Sequence, residues 1–175
     1  MTEGSVPGPV SLSSINRHIA LNNFDDGGLT SGSRDIHVYV PRGYDKSHDQ
    51  YPVVYLNDGQ AWLHGIWNGP QLECDLTHDQ LCEEGLINPA ILVAINFNRA
   101  GRVKDLTPAQ DDDGNLDGYY KFIADRLKPY IDSHYRTKPE PTFTAIVGIS
   151  MGGLASFLLA YDHPETFGMA GCMSP

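Results

Sequence analysis

Residues 143–161, FTAIVGISMGGLASFLLAY, constrain this chain more than any other stretch. A run of β-formers, Phe143-Thr144-Ala145-Ile146-Val147, meets Gly148-Ile149-Ser150-Met151-Gly152-Gly153, and an apolar helix-forming run follows. The expected structure is a strand, a tight glycine turn and a helix, with a serine at the tip. A serine held there sits on a strained turn with its hydroxyl exposed, so the positions two before and two after it must lack a bulky Cβ. A helix starting at this point turns its partial positive end toward the serine, and the Met151 N–H faces a developing oxyanion. The same glycine spacing also serves plain close packing in a β-turn-α unit. The strand before and the helix after favour a nucleophile elbow.

The 175 residues suffice for one domain with a real core. With 22 acidic against 12 basic residues the net charge is −10, which disfavours nucleic acid and anionic membrane surfaces as partners. No apolar run approaches the roughly 20 residues that span a bilayer. Residues 1–14 are rich in Gly, Pro and Ser, read as a flexible lead-in, and show neither the basic nor the apolar region of a secretory signal. Cys74, Cys82 and Cys172 fit neither a disulfide framework nor a zinc site. Cys74 and Cys82 lie about 12 Å apart on a predicted helix, too far to bridge. Free thiols in a reducing, cytoplasmic compartment are the expectation.

Strands are predicted over 15–24 and, from the alternation of Ile36, Val38 and Val40, over 34–40 up to Pro41; together they form an antiparallel opening hairpin. YPVVYL at 51–56 and PAILVAINF at 89–97 read as strands buried on both faces. The first ends in Asn57-Asp58-Gly59-Gln60, at the strand end where open α/β sheets place ligands. A helix is predicted over 71–84, a long polar loop over 98–118, and an amphipathic helix over 119–135 that Pro129 kinks or splits. The elbow strand and helix follow, then a last β-run at 168–173. Strands alternating with helices indicate a mostly parallel sheet covered on both faces.

Several separated motifs now agree. SRDIHVYVPRGYD at 33–45, YPVVYLNDGQAW at 51–62, AILVAINFNR at 90–99, RVKDLTP at 102–108, KFIADRLKPYIDSHYRT at 121–137 and VGISMGGLASFLLAYDHPETFG at 147–168 resemble, in this order, the Putative esterase family of α/β-hydrolases. That family includes enterochelin, feruloyl and acetylxylan esterases, S-formylglutathione hydrolases and mycolyltransferases. The resemblance implies an α/β-hydrolase three-layer sandwich over 15–175 and a serine carboxylic ester hydrolase with Ser150 as nucleophile. It also implies an oxyanion hole formed by the amides of Met151 and, in the loop after the third strand, Gln60.

A serine needs a base, and the base an orienting acid. In α/β-hydrolases both follow the serine in the chain. Asp162, His163 and Glu165 satisfy that order, but a helix over 151–161 carries them roughly 16 Å from the elbow, where they read as a helix-ending turn. The strands that would carry the acid and histidine lie beyond Pro175, so the domain reads as C-terminally incomplete, with an exposed sheet edge. Among the earlier histidines, His64 follows the oxyanion loop, and a surface role suits it better. Three functional classes stay open: a piece of an active esterase, a non-catalytic binding module retaining the pocket, and an esterase completed by a partner chain or homo-oligomer. Trp62 and Trp67 are candidates for an acyl or aryl pocket and equally for the core. Asp111, Asp113, Asn115 and Asp117 space oxygens like a calcium loop, but the turn glycine is misplaced and Phe122 stands where a bidentate Glu is needed. No nucleotide or metal cofactor motif is present.

Overall fold

In the computed structural model, which describes residues 17–63, 65, 71–109 and 113–175, six strands form one sheet. The lead-in over 1–14, His64, Trp67, Asp111 and Asp112 lie outside the described residues. The strands are β1 (His18–Phe24), β2 (Arg34–Tyr39), β3 (Val53–Asn57), β4 (Ile91–Ile95), β5 (Thr144–Ile149) and β6 (Met169–Met173), in the spatial order β1-β2-β4-β3-β5-β6. The β1–β2 and β2–β4 pairs are antiparallel, and β4–β3, β3–β5 and β5–β6 are parallel. The opening hairpin and mostly parallel sheet therefore stand as expected.

Strand alternation builds two cores. On one face Ile36, Val38, Val53, Tyr55, Ile91, Val93, Ile95 and Ile146 pack with Phe122, Ile123, Leu127 and Ile131 and with Ala155 and Leu159. These helical residues belong to a long helical segment over 116–134 and to α5 (Met151–Asp162). On the other face Tyr39, Leu56, Leu92 and Ala94 pack with Trp62, Leu63 and Cys74, the last opening α1 (Cys74–Glu83). All five residues of β4 are buried, the reason its sequence is a continuous apolar run. The result is helix, sheet, helix in three layers. No helix among the described residues is long and apolar enough to cross a membrane.

One expectation is corrected and one is sharpened. The segment read as a loop over 98–118 contains a short helix, α2 (Arg102–Leu106), and its last residues already belong to α3 (Leu116–Lys121). Five residues are too few to register as a periodic pattern, and tertiary contacts hold them. The break expected at Pro129 takes the form of a change in helix type ahead of it. The chain passes from α3 through a π-helical stretch (Phe122–Leu127) into α4 (Lys128–His134), where Pro129 occupies the first turn. The Lys128 N–H reaches the Ile123 carbonyl, five residues back, so the ladder widens ahead of the residue that has no N–H to give.

Candidate active site

The parallel strands β4, β3 and β5 end side by side, and their C-terminal ends carry the chain segments that form a cleft of about 460 Å³. Ser150 follows β5 directly and caps α5 with φ 56° and ψ −127°, a conformation that L-residues adopt only at a cost of about 1–3 kcal/mol. Neighbouring contacts hold it there. Its amide donates to the Met173 carbonyl of β6 at 2.9 Å, and its carbonyl accepts from the Leu154 amide at 3.0 Å. A Cβ on Gly148 would come within 2.3 Å of the Gly152 backbone, and one on Gly152 within 2.9 Å of an Asp58 carboxylate oxygen. The glycines thus let strand, turn and helix close tightly enough to leave Ser150 at the tip, lining the cleft.

The facing wall is the turn after β3. Asp58 takes the left-handed conformation (φ 57°, ψ 48°), and the amides of Ala61 and Trp62 fold back onto the carbonyls of Asp58 and Gly59 at 3.0 and 3.1 Å. Gly59 passes so close to β4 that a Cβ would lie 2.6 Å from its backbone. Gln60 lines the same cleft as Ser150, and its side-chain oxygen accepts from the Phe97 amide at 3.3 Å. Trp62 settles between its two expected roles: it is 3% exposed, donates its indole N–H to the Asn57 carbonyl at 2.7 Å, and still lines the cleft. Trp67 is outside the described residues. Phe97, Ala61 and Ile149 supply the remaining apolar lining.

Three polar residues of this site escaped the sequence reasoning. Asn57 is fully buried, donates to the Gly152 carbonyl and Ser156 Oγ at 3.2 and 3.0 Å, and accepts from the Tyr119 hydroxyl at 2.7 Å. It ties β3 to the start of α5 and to α3. Burial raises the Tyr119 hydroxyl far above its ordinary range, so it remains a donor. Arg102 holds Asp58 at two points, Nε to Oδ1 at 2.6 Å and Nη2 to Oδ2 at 2.7 Å. These hydrogen bonds raise the guanidinium pKa further and keep it charged. The only sequence signal for Arg102 was its place in the RVKDLTP motif, which carried no assigned chemistry.

The described histidines stand away from the cleft lining. His18 and His37 face each other at 2.9 Å, His78 accepts from the Ala90 amide at 3.0 Å, and His134 stacks on Tyr130. His48 is exposed on the loop before β3. His163 closes the far end of α5, stacked on Tyr120 at 3.4 Å and 3.2 Å from Glu165, in the helix-ending turn expected for it. Among the described residues no group of three or more His, Cys, Asp or Glu side chains is placed to hold a metal ion.

Strand order, helices on both faces and a serine elbow after β5 define an α/β-hydrolase fold. The sequence matches the family described as Putative esterase over residues 29–175, and the chain belongs to that family. It is 31% identical over 153 residues to an endo-1,4-β-xylanase/feruloyl esterase of Xylanibacter ruminicola, covering 83% of this chain and 20% of that protein. It is 26% identical over 136 residues to the ferri-bacillibactin esterase of Bacillus subtilis, covering 67% of this chain and 45% of that one. A ferulic acid esterase structure superposes with a TM-score of 0.67 at 21% identity, covering 90% of this chain and 58% of its own. The enterochelin esterase of Shigella flexneri gives 0.67 at 17% identity, with coverages of 89% and 35%. At these identities the structures speak for the fold. The chain spans between a fifth and just over half the length of these curated relatives and of two Bacillus subtilis proteins of unassigned function.

Proposed function

We propose that the chain carries the nucleophile of a carboxylic ester hydrolase. One observation carries this: a serine forced to positive φ at the tip of a strand–helix turn, opening onto a cleft, an expensive placement that has a use when its hydroxyl reacts. Ser150 Oγ attacks the ester carbonyl, and the tetrahedral oxyanion takes hydrogen bonds from the amides of Met151 and Gln60. The alcohol leaves with a proton, and water then releases the acid from the acyl-enzyme. Each oxyanion donor contributes about 3 kcal/mol to the transition state. Phe97 and Trp62 give the cleft an apolar wall suited to an acyl or aryl group. The three free thiols suit a reducing, cytoplasmic setting.

This chemistry needs a base within hydrogen-bond reach of Ser150. No described histidine lines the cleft, so the base reaches Ser150 either from a part of the protein other than the described residues or from a second copy. The test is hydrolysis of p-nitrophenyl acetate by the full chain and by Ser150→Ala. Turnover that disappears with the hydroxyl supports the proposal, and equal turnover in both proteins overturns it. Specific activity that rises with protein concentration assigns the base to a second copy.

A further inference from the structure

α2 presents two charged residues in opposite directions. Asp105, 1% exposed, accepts from Arg34 Nη2 at 2.8 Å and from both the amide and the hydroxyl of Ser31, at 3.0 and 2.7 Å. The Arg34 side chain is itself only 3% exposed, so this end of α2 is fixed in the interior. One turn earlier Arg102 reaches the other way, into the cleft. Its Nε and Nη2 bind both oxygens of Asp58, and its Nη1 lies 3.9 Å from Met151 Sδ. One guanidinium therefore touches both segments that carry the oxyanion donors: the left-handed turn leading to Gln60, and the first residue of α5.

We infer that Arg102 is a positioning residue that sets the separation of the Gln60 and Met151 amides, so that both converge on one oxyanion. This rests on the esterase proposal above. The two-point geometry matters because a planar guanidinium fixes the carboxylate in orientation as well as distance, which the ammonium of a lysine cannot do. Asp58 is the handle. Its backbone adopts a left-handed conformation that an aspartate tolerates and does not prefer, and the ion pair supplies the restraint. Anchorage of α2 through Asp105 makes Arg102 a strut with a rigid base. A donor displaced by a fraction of an ångström still lets substrate bind but stabilises the transition state less, so loss of the strut shows in kcat rather than KM.

The test measures kcat and KM for p-nitrophenyl acetate in the full chain with Arg102→Met, Arg102→Lys and Asp58→Asn, alongside Ser150→Ala and thermal unfolding of each. Arg102→Met is expected to lower kcat about 10- to 100-fold, less than the 10²–10³-fold for deleting an oxyanion donor outright, with KM within about twofold. Arg102→Lys recovers part of the loss. Arg102→Met combined with Asp58→Asn is no worse than the more damaging single change, because the two residues act as one unit. Should Arg102→Met fail to fold, Asp58→Asn, which keeps size and turn preference, carries the same test. Turnover that depends on Ser150 yet is undiminished in Asp58→Asn and Arg102→Met overturns the inference alone. A loss confined to KM, or one fully explained by unfolding, also overturns it. Turnover independent of Ser150 overturns the esterase proposal and this inference with it.

Discussion

The Tyr119 hydroxyl donates a 2.7 Å hydrogen bond to the side-chain oxygen of Asn57, both side chains being buried, across 62 residues of sequence. The same Asn57 amide grips the first turn of α5 through Gly152 and Ser156. One asparagine therefore fixes the end of β3, α5 and α3 relative to one another.

Removing the Tyr119 hydroxyl leaves a buried acceptor without its donor. Tyr119→Phe is expected to cost about 1–3 kcal/mol. Asn57→Ala, which abandons three partners and opens a void, should cost more than about 3 kcal/mol. Urea unfolding midpoints at constant m-value measure both.

The two elbow glycines differ in what surrounds them. A methyl at Gly148 meets the Gly152 backbone at 2.3 Å, which cannot yield without moving the helix, whereas one at Gly152 meets the end of the Asp58 side chain at 2.9 Å. Gly148→Ala is therefore expected to be the more destabilising, by at least about 1 kcal/mol, as read by the difference in melting temperature.

Strain at Ser150 predicts an unusual ordering of variants. Ser150→Ala removes the hydroxyl but keeps the Cβ at φ 56°; Ser150→Gly removes both. Ser150→Gly should be the more stable by about 1 kcal/mol, the reverse of the usual penalty for glycine, and equal melting temperatures would remove the case for strain.

Acid should weaken the β1–β2 hairpin. Burial lowers the pKa of both His18 and His37 below the ordinary value of about 6.5, and a charge on His18, 2.9 Å away, lowers His37 further; Asp75 and Asp35 oppose this only in part. The unfolded chain then binds more protons than the folded one below that pH. Stability is complete above about pH 6.5 and falls as the pH drops through the lowered folded values. Denaturation at pH 7.5 and pH 5.5 should show a smaller difference in His37→Gln than in the wild type, while an unchanged pH dependence would clear the histidine pair.

Much of this architecture is legible in sequence because burial writes itself as periodicity. The continuous apolar run of β4 and the alternation in β2 needed only counting, and Ser150 announced itself through glycines that sterics require. The polar framework was illegible for a different reason. Arg102 and Asp58 meet across 44 residues, and nothing local to either marks the other. Asn57 stood in a stretch already read as a ligand-facing turn, so its identity as a buried clamp was hidden behind its neighbours. The helix bearing Arg102 is held by contacts at its two ends rather than by propensity, and a five-residue window has no period to detect. Pro129 did signal a break, but whether a ladder snaps or widens depends on the packing of Phe122, Ile123 and Leu127 against the sheet.

The hydrogen bond from the Ser150 amide to Met173 has a consequence for motion. β6 pairs in parallel with β5 from Ala145↔Met169 to Ile149↔Met173, so this bond stands at the very end of one ladder, where pairing opens most readily. Each opening releases the amide of the serine itself. The Ser150 N–H should exchange with solvent together with the end of the β5–β6 ladder, and whatever steadies that end also steadies the serine.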